Sequence, residues 1–162
     1  MRKYLTKKII LRSLLVVLIL IQFIRPSKNL GNAFGPDDIT KTVNVPEDVK
    51  KILVASCYDC HSDHTEHMWY ENIQPIGWWI ANHINEGKHH LNFSIYNTYK
   101  DKRKAHKFEE IGETVSSDEM PMSSYTLVHG NAKLNDEQKR LLINWVATGQ
   151  EQYKQPEEKE LH

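Results

Sequence analysis

Residues 57–61 are Cys57-Tyr58-Asp59-Cys60-His61, a C-x-x-C-H pentapeptide at the end of a predicted helix. Two thiols at this spacing can each add to one vinyl group of a haem, and the adjacent imidazole can then bind the iron from beneath. The 162-residue chain has two cysteines, so the motif uses both and leaves none for a disulfide framework. The pentapeptide therefore predicts one covalently bound haem c, with Cys57 and Cys60 as thioethers and His61 as proximal axial ligand.

The sequence on both sides of this motif has helical periodicity, and runs with strand-like alternation are nearly absent. Pro46 suits the first turn of a helix, and Gly87 and Gly149 are expected just after the ends of two others. The polar segments between the helices are long for such a small core, so a large apolar group is expected in the middle. The prediction is an all-α domain, with helices over about residues 46–57, 72–86, 105–116 and 135–148.

The N-terminal segment predicts the cellular compartment. Seven of the 21 Lys and Arg residues fall within residues 1–28, where no acidic residue occurs, and an apolar run extends from Ile9 to Ile24. Residues 25–28 offer no small-residue cleavage site, which favours an uncleaved signal anchor over a removed signal peptide. We therefore expect an N-terminal hydrophobic transmembrane helix and a haem domain on the periplasmic side of a bacterial inner membrane.

The chain is predicted to divide into four parts. These are a signal anchor over residues 1–25, a Gly- and Pro-containing linker over 26–45, a haem-binding domain over 46–150 and a charged C-terminal tail over 151–162. After residue 28 the remaining 14 basic residues face 21 acidic ones, and such an acidic body argues against nucleic acid as a partner. The expected partners are the membrane, through the N-terminal helix, and redox proteins of unknown identity.

Met120 is the predicted distal axial ligand of the iron. It precedes Pro121, which disfavours the helical conformation at Met120 and leaves its sulfur free to turn inward. Met122 is the alternative sulfur ligand, and His83, on the apolar face of the second helix, is the alternative nitrogen ligand. An iron with both axial positions filled carries single electrons, so we expect an electron-transfer protein rather than an enzyme.

Other functions can be built on the same residues. A displaceable sixth ligand would permit a haem-based peroxidase, or a gas or redox sensor. A zinc site could instead use four side chains within eleven residues, namely Cys57, Cys60, His64 and His67. That arrangement leaves His61 without a role. Thiol–disulfide exchange is disfavoured, because the cysteines close a helix instead of opening one.

Longer stretches of the chain resemble a known family. The C-x-x-C-H motif, Pro75-x-x-Trp78-Trp79, the His-Leu-Asn-Phe stretch at 90–93 and the Glu-Met-Pro step at 119–121 are similar to those of the haem-binding domain family of exported, Bacteroidetes-type bacterial proteins. That resemblance covers about residues 46–148. The order of its parts is also similar to that of monohaem class I c-type cytochromes. It implies a cytochrome c-like helical domain around one haem, usually anchored at its N-terminus, and no settled substrate.

Overall fold

A computed structural model describes residues 2–154 of the chain. Within this range the chain forms α-helices, short 3-10 helices and one isolated β-bridge between Leu30 and His64. The prediction of an all-α fold is therefore confirmed for the described range. The α-helices are α1 (Arg2–Ile21), α2 (Glu47–Ser56), α3 (Tyr58–His61), α4 (Ile76–His90), α5 (Asp101–Ser116), α6 (Ser123–Thr126) and α7 (Asp136–Lys154). The 3-10 helices are Ile39–Lys41, Trp69–Asn72, Phe93–Thr98 and Gly130–Ala132.

Much of the hydrophobic core lies between α5 and α7. Phe108 of α5 is fully buried, and its ring lies 5.2 Å from the ring of Trp145 on α7, measured between centroids. Gly149 of α7 faces the same ring, since a Cβ atom at this position would lie 2.6 Å from ring carbons of Phe108. The prediction that Gly149 ends this helix is wrong. The glycine lies inside α7 and allows the helix to approach Phe108 closely.

A second glycine has the same role in α4. The helix begins at Ile76, later than predicted, and continues through Gly87 to His90. A Cβ atom at Gly87 would lie 2.7 Å from the carbonyl oxygen of Cys60, so the absence of a side chain lets α4 cross the cysteine motif. Gly87 therefore supports the packing of α4 on α3 and does not end the helix, which corrects the predicted boundary.

The segment 26–45 packs on the domain, in contrast to the predicted linker. Ile39 and Val43 belong to the hydrophobic core. Asp38 is fully buried, and one of its carboxylate oxygens accepts a hydrogen bond from the Tyr58 hydroxyl at 2.9 Å. The glycines and prolines of this segment suggested a linker, but the same segment also contributes residues to the hydrophobic core.

The C-terminal end of α7 extends into the predicted charged tail. Its residues 151–154 continue the helix, and the ring of Tyr153 stacks on that of Phe108 with the centroids 6.2 Å apart. Residues 155–162 of the predicted tail lie outside the described residues.

Helix α1 contains most of the apolar run that was predicted to span a membrane. Of the helices between residues 2 and 154, none combines the length and the apolar character that crossing a membrane requires. In α1 Lys7 and Lys8 precede the apolar run and Arg12 lies within it. This finding corrects the prediction of a transmembrane helix at this position.

Candidate functional site

The two cysteines lie at the junction of α2 and α3. Cys57 follows the last residue of α2 with φ of −129°, outside helical geometry, and Cys60 lies within α3. Both thiols are free and half-buried. Burial is the main cause that raises the pKa of Cys57 to about 12 and the pKa of Cys60 to about 11. Both sulfurs are therefore protonated at neutral pH, unlike the activated thiolate of a disulfide exchanger.

His61 is oriented by the backbone that follows α4. Its Nδ1 lies 3.0 Å from the carbonyl oxygen of Leu91, and its ring meets Phe93 edge-on with the centroids 6.3 Å apart. Burial lowers the pKa of His61 and outweighs the carbonyls of Leu91 and Gly87, which would raise it. A neutral imidazole that donates from Nδ1 has its lone pair on Nε2, and that is the form that binds a metal.

A small cavity of about 70 Å³ adjoins the cysteine motif, and Cys60 is part of its wall. This enclosed space is smaller than the roughly 300–1,000 Å³ of typical small-molecule sites, so the fit of a larger group rests on the chemistry of the wall and not on its volume. Cys57 and His61 lie outside its lining but share the same turn of chain with Cys60. A thiol on the wall, a second thiol and an oriented imidazole in the same turn, and aromatic side chains are together a donor set that suits a flat apolar macrocycle such as haem. The aromatic and histidine side chains of the wall are Tyr70, Trp79, His83, Tyr125 and His129.

The structure brings two of the three candidate distal ligands to this cavity. Met122 and His83 both line it, and the Nδ1 of His83 lies 2.8 Å from the carbonyl oxygen of Trp79, which directs the His83 lone pair to Nε2. Met120 is half-buried and does not line the cavity, and its backbone N–H donates to the Thr114 carbonyl at 3.0 Å. The assignment of Met120 as distal ligand stays a prediction.

The geometry gives no support to the zinc alternative. The Nδ1 of His64 lies 3.2 Å from the carbonyl oxygen of Gly31, and His67 is paired through Nδ1 with the Glu71 carboxylate. Over the part of the chain that the structure describes, no three His, Cys, Asp or Glu side chains are grouped so that they could hold a metal ion. The four proposed zinc ligands are therefore not brought together; they are Cys57, Cys60, His64 and His67.

Asp59, between the two cysteines, ties the motif to its surroundings. Its carbonyl oxygen accepts a hydrogen bond from the Thr65 hydroxyl at 2.5 Å, and its Oδ1 accepts one from the Glu66 backbone N–H at 3.1 Å. Its Oδ2 accepts a hydrogen bond from the Tyr125 hydroxyl at 2.8 Å. Burial, followed by the hydrogen bond and the charge of Asp59, raises the pKa of Tyr125 above its ordinary value. The phenol therefore keeps its proton and acts as a donor.

A second polar contact crosses the cavity. The Tyr70 hydroxyl lies 3.3 Å from Nε2 of His129, and Nδ1 of His129 lies 3.2 Å from the carbonyl oxygen of Tyr125. The Tyr125 and His129 rings stack with the centroids 4.2 Å apart. The sequence patterns predicted no role for Asp59, Tyr70 or His129, because separate turns contribute them. The one available signal was the position of Asp59 inside the motif.

The comparisons with known proteins found one match. The family described as "Haem-binding domain" matches residues 16–148, which is more than half of the chain and includes the cysteine motif and the cavity residues. The searches of curated proteins and of solved structures each found no match. The resemblance to a haem-binding domain family is thereby confirmed, while the Bacteroidetes-type origin and the similarity to class I cytochromes stay predictions.

Proposed function

The chain belongs to the haem-binding domain family, and from this premise we propose that it carries single electrons by means of one covalently bound haem c. Cys57 and Cys60 would hold the haem as thioethers, and His61 would bind the iron through Nε2. A haem bound in this way supplies an iron that alternates between the ferric and ferrous states. The observation that carries the proposal is the contact of His61 Nδ1 with the Leu91 carbonyl, in a motif whose Cys60 lies on the wall of a cavity lined by aromatic side chains.

The surroundings of His61 favour electron transfer over ligand exchange on the proximal side. The hydrogen bond from Nδ1 to a backbone carbonyl fixes the tautomer and the plane of the ring and makes Nε2 a better electron donor. The edge contact with buried Phe93 restricts the ring further. A ligand held on two sides moves little when the charge on the metal changes, and such rigidity suits a carrier.

We propose a methionine sulfur as the distal ligand. The sequence favours Met120 because Pro121 follows it, whereas the cavity lining favours Met122. A methionine paired with a histidine raises the reduction potential of the haem. The alternative is a displaceable sixth ligand, which would suit a peroxidase or a gas or redox sensor. The observation in favour of that alternative is that Met120 lies outside the cavity wall.

We also propose that the haem domain functions outside the cytoplasm, in the periplasm. In most bacteria the haem thioethers form there, on reduced thiols. A basic segment followed by an apolar run, as in residues 2–24, is typical of an export signal. The partners would then be exported redox proteins that exchange electrons with the haem.

A haem stain on a denaturing gel tests covalent attachment. The full chain is produced in a host that is competent for cytochrome maturation, beside a Cys57→Ala, Cys60→Ala double variant. We expect stained protein from the native chain and none from the double variant, because thioethers survive denaturation. The control is His89→Ala, which changes an exposed histidine outside the site and should keep the stain. A colourless native chain would overturn the proposal.

Spectra of the stained protein identify the distal ligand. Met120→Ala, Met122→Ala and His83→Ala are compared for the sulfur-to-iron band of the ferric form and for carbon monoxide binding to the ferrous form. A methionine ligand is the residue whose loss removes the band and opens the iron to carbon monoxide. If His83 is the ligand, the native protein lacks the band and His83→Ala alone opens the iron. Met68→Ala is the matched methionine control, since Met68 is exposed and follows the motif closely. Carbon monoxide binding by the native chain would favour the sensor or peroxidase alternative.

A further inference from the structure

The segment that carries both candidate methionines has two backbone attachments. At its start, the N–H groups of Glu119 and Met120 both donate to the carbonyl of Thr114, each at 3.0 Å. At its end, the Met122 carbonyl accepts hydrogen bonds from the N–H groups of residues 125 and 126, both at 3.0 Å. The position of this methionine segment, residues 120–122, therefore depends both on the last turns of α5 and on where α6 lies.

Helix α6 is not held by burial of apolar surface. It has four residues, none of which is buried, and the next two side chains are largely in solvent, with Leu127 exposed at 87% and Val128 at 58%. Hydrophobic contacts of this kind stabilise a segment only weakly, because the stabilisation scales with the apolar area removed from water. The polar contacts across the cavity therefore contribute substantially to the position of α6.

The shorter of these contacts joins α6 to the cysteine motif. The Tyr125 hydroxyl donates to Asp59 at 2.8 Å, whereas the Tyr70 hydroxyl lies 3.3 Å from His129. The acceptor is itself fixed, because Asp59 also bonds with Thr65 and Glu66 and lies between the two cysteines. A hydrogen bond to a carboxylate is stronger than one between neutral groups, so this contact gives a short, directional link between the two sides of the cavity.

We propose that Tyr125, acting through Asp59, is a positioning residue that holds the methionine segment against the haem-binding loop and so keeps the distal ligand on the iron. The inference rests on the proposed function, because it needs a bound haem for its effect on ligation. It concerns both candidate methionines, since both lie in the segment between Thr114 of α5 and α6, and it bears most directly on Met122, whose carbonyl is bonded to α6.

Tyr125→Phe tests this role with a minimal change. The variant keeps the ring and its stack on His129 and removes the hydroxyl alone. We expect unchanged haem staining and carbon monoxide binding to the ferrous form that is stronger than in the native chain by roughly tenfold or more, the effect of losing one hydrogen bond to a charged group. The sulfur-to-iron band of the ferric form should also disappear at a lower temperature than in the native protein.

Two further variants separate positioning from general loss of stability. Tyr96→Phe removes a buried hydroxyl that donates to the Lys104 carbonyl at 2.9 Å, away from the cavity, and should leave carbon monoxide binding unchanged. In an Asp59→Ala background, which removes the acceptor, Tyr125→Phe should have little additional effect, because the two residues act as one unit in a double-mutant cycle. Full additivity of the two substitutions would overturn the role of Asp59.

Hydrogen exchange provides a readout that does not depend on the iron. Tyr125→Phe should speed exchange of the backbone amides of residues 120 and 125–127, all of which are hydrogen-bonded in the native structure. Equal exchange and equal carbon monoxide binding in the native and variant proteins would overturn the proposal. Failure of the proposed function is a separate result, because the native chain would then take no haem stain. The exchange measurement would still test whether the hydrogen bond between Tyr125 and Asp59 holds the methionine segment.

Discussion

The two halves of the domain are stabilised by different forces. The packed half, α5 and α7, is held by buried rings such as Phe108 and Trp145 and by close approach at Gly149. The site half, formed by α3, α4 and α6, adds hydrogen bonds such as that between Tyr125 and Asp59, beside a small cavity of about 70 Å³. The difference indicates that the pairing of α5 with α7 depends on buried area, whereas the position of α6 relative to the cysteine motif depends more on directional polar contacts.

Phe108→Ala should have the largest effect on stability. Truncating a fully buried ring costs the transfer free energy and leaves a cavity, so we expect the free energy of unfolding to fall by about 3–5 kcal/mol in chemical denaturation. For comparison, Trp69→Ala removes a ring from the 3-10 helix Trp69–Asn72, where 74% of the side chain is exposed, and its cost should be below about 1 kcal/mol. Similar losses in the two variants would refute the contribution of the buried Phe108 ring.

Gly87→Ala tests the close contact within the site half. The new Cβ would meet the Cys60 carbonyl at 2.7 Å, and a backbone atom cannot move aside cheaply. We expect the free energy of unfolding to fall by about 1–3 kcal/mol, although alanine favours a helix interior by about 1 kcal/mol. The control is Gly130→Ala, which has no atom within 4 Å of its Cβ position and should change stability by less than about 1 kcal/mol. A Gly87→Ala protein more stable than the native chain would contradict the close contact between α4 and the Cys60 carbonyl.

Asp63→Asn should have the smallest effect and a distinctive pH dependence. Burial alone would raise the pKa of Asp63, but hydrogen bonds from Lys88 at 2.7 Å and Asn92 at 2.9 Å outweigh it and lower that pKa. Because the folded-state pKa lies below the unfolded value, the carboxylate stabilises the fold above about pH 4, and this contribution is lost as the pH falls through the folded pKa.

For this half-exposed ion pair we expect Asp63→Asn to lower the free energy of unfolding by less than about 1 kcal/mol at neutral pH. The difference from the native chain should shrink as the pH falls below about 4. Denaturation curves measured across that range check the sign. If the difference in the free energy of unfolding between the two proteins stays constant with pH, the charge of Asp63 contributes nothing to stability, and the effect of the substitution comes from packing.

The parts of the fold that sequence could predict depend on neighbours along the chain. Helical periodicity placed Val49 and Leu53 on the inner face of α2, and Leu142 and Trp145 on that of α7, and all four are buried. Helices α2 and α7 also begin within a residue of the predicted positions, because proline and acidic residues favour helix starts locally. The cysteine motif was recognisable for the same reason, as its chemistry is contained in five consecutive residues.

The remaining features depend on partners that are distant in sequence. A glycine can end a helix, or it can lie inside one and let another part of the chain pack closely against it. Gly87 and Gly149 have the second role, which is visible only from the Cys60 carbonyl and the Phe108 ring that face them. Asp59 and Tyr125 are 66 residues apart, so no local pattern could link them. The cavity wall is likewise assembled from several turns that are distant in sequence. For this reason the local Met-Pro pattern favoured Met120, whereas the wall contains Met122.

The hydrogen bond between Tyr58 and Asp38 has a practical consequence for defining the minimal folding unit. A polypeptide shortened to begin at Pro46 would bury a tyrosine hydroxyl without its acceptor and would lack Ile39 and Val43, leaving a gap in the core. Truncated versions intended for crystallisation or NMR should therefore start upstream of Asn29, whose side chain also bonds to the Ser62 carbonyl at 2.9 Å.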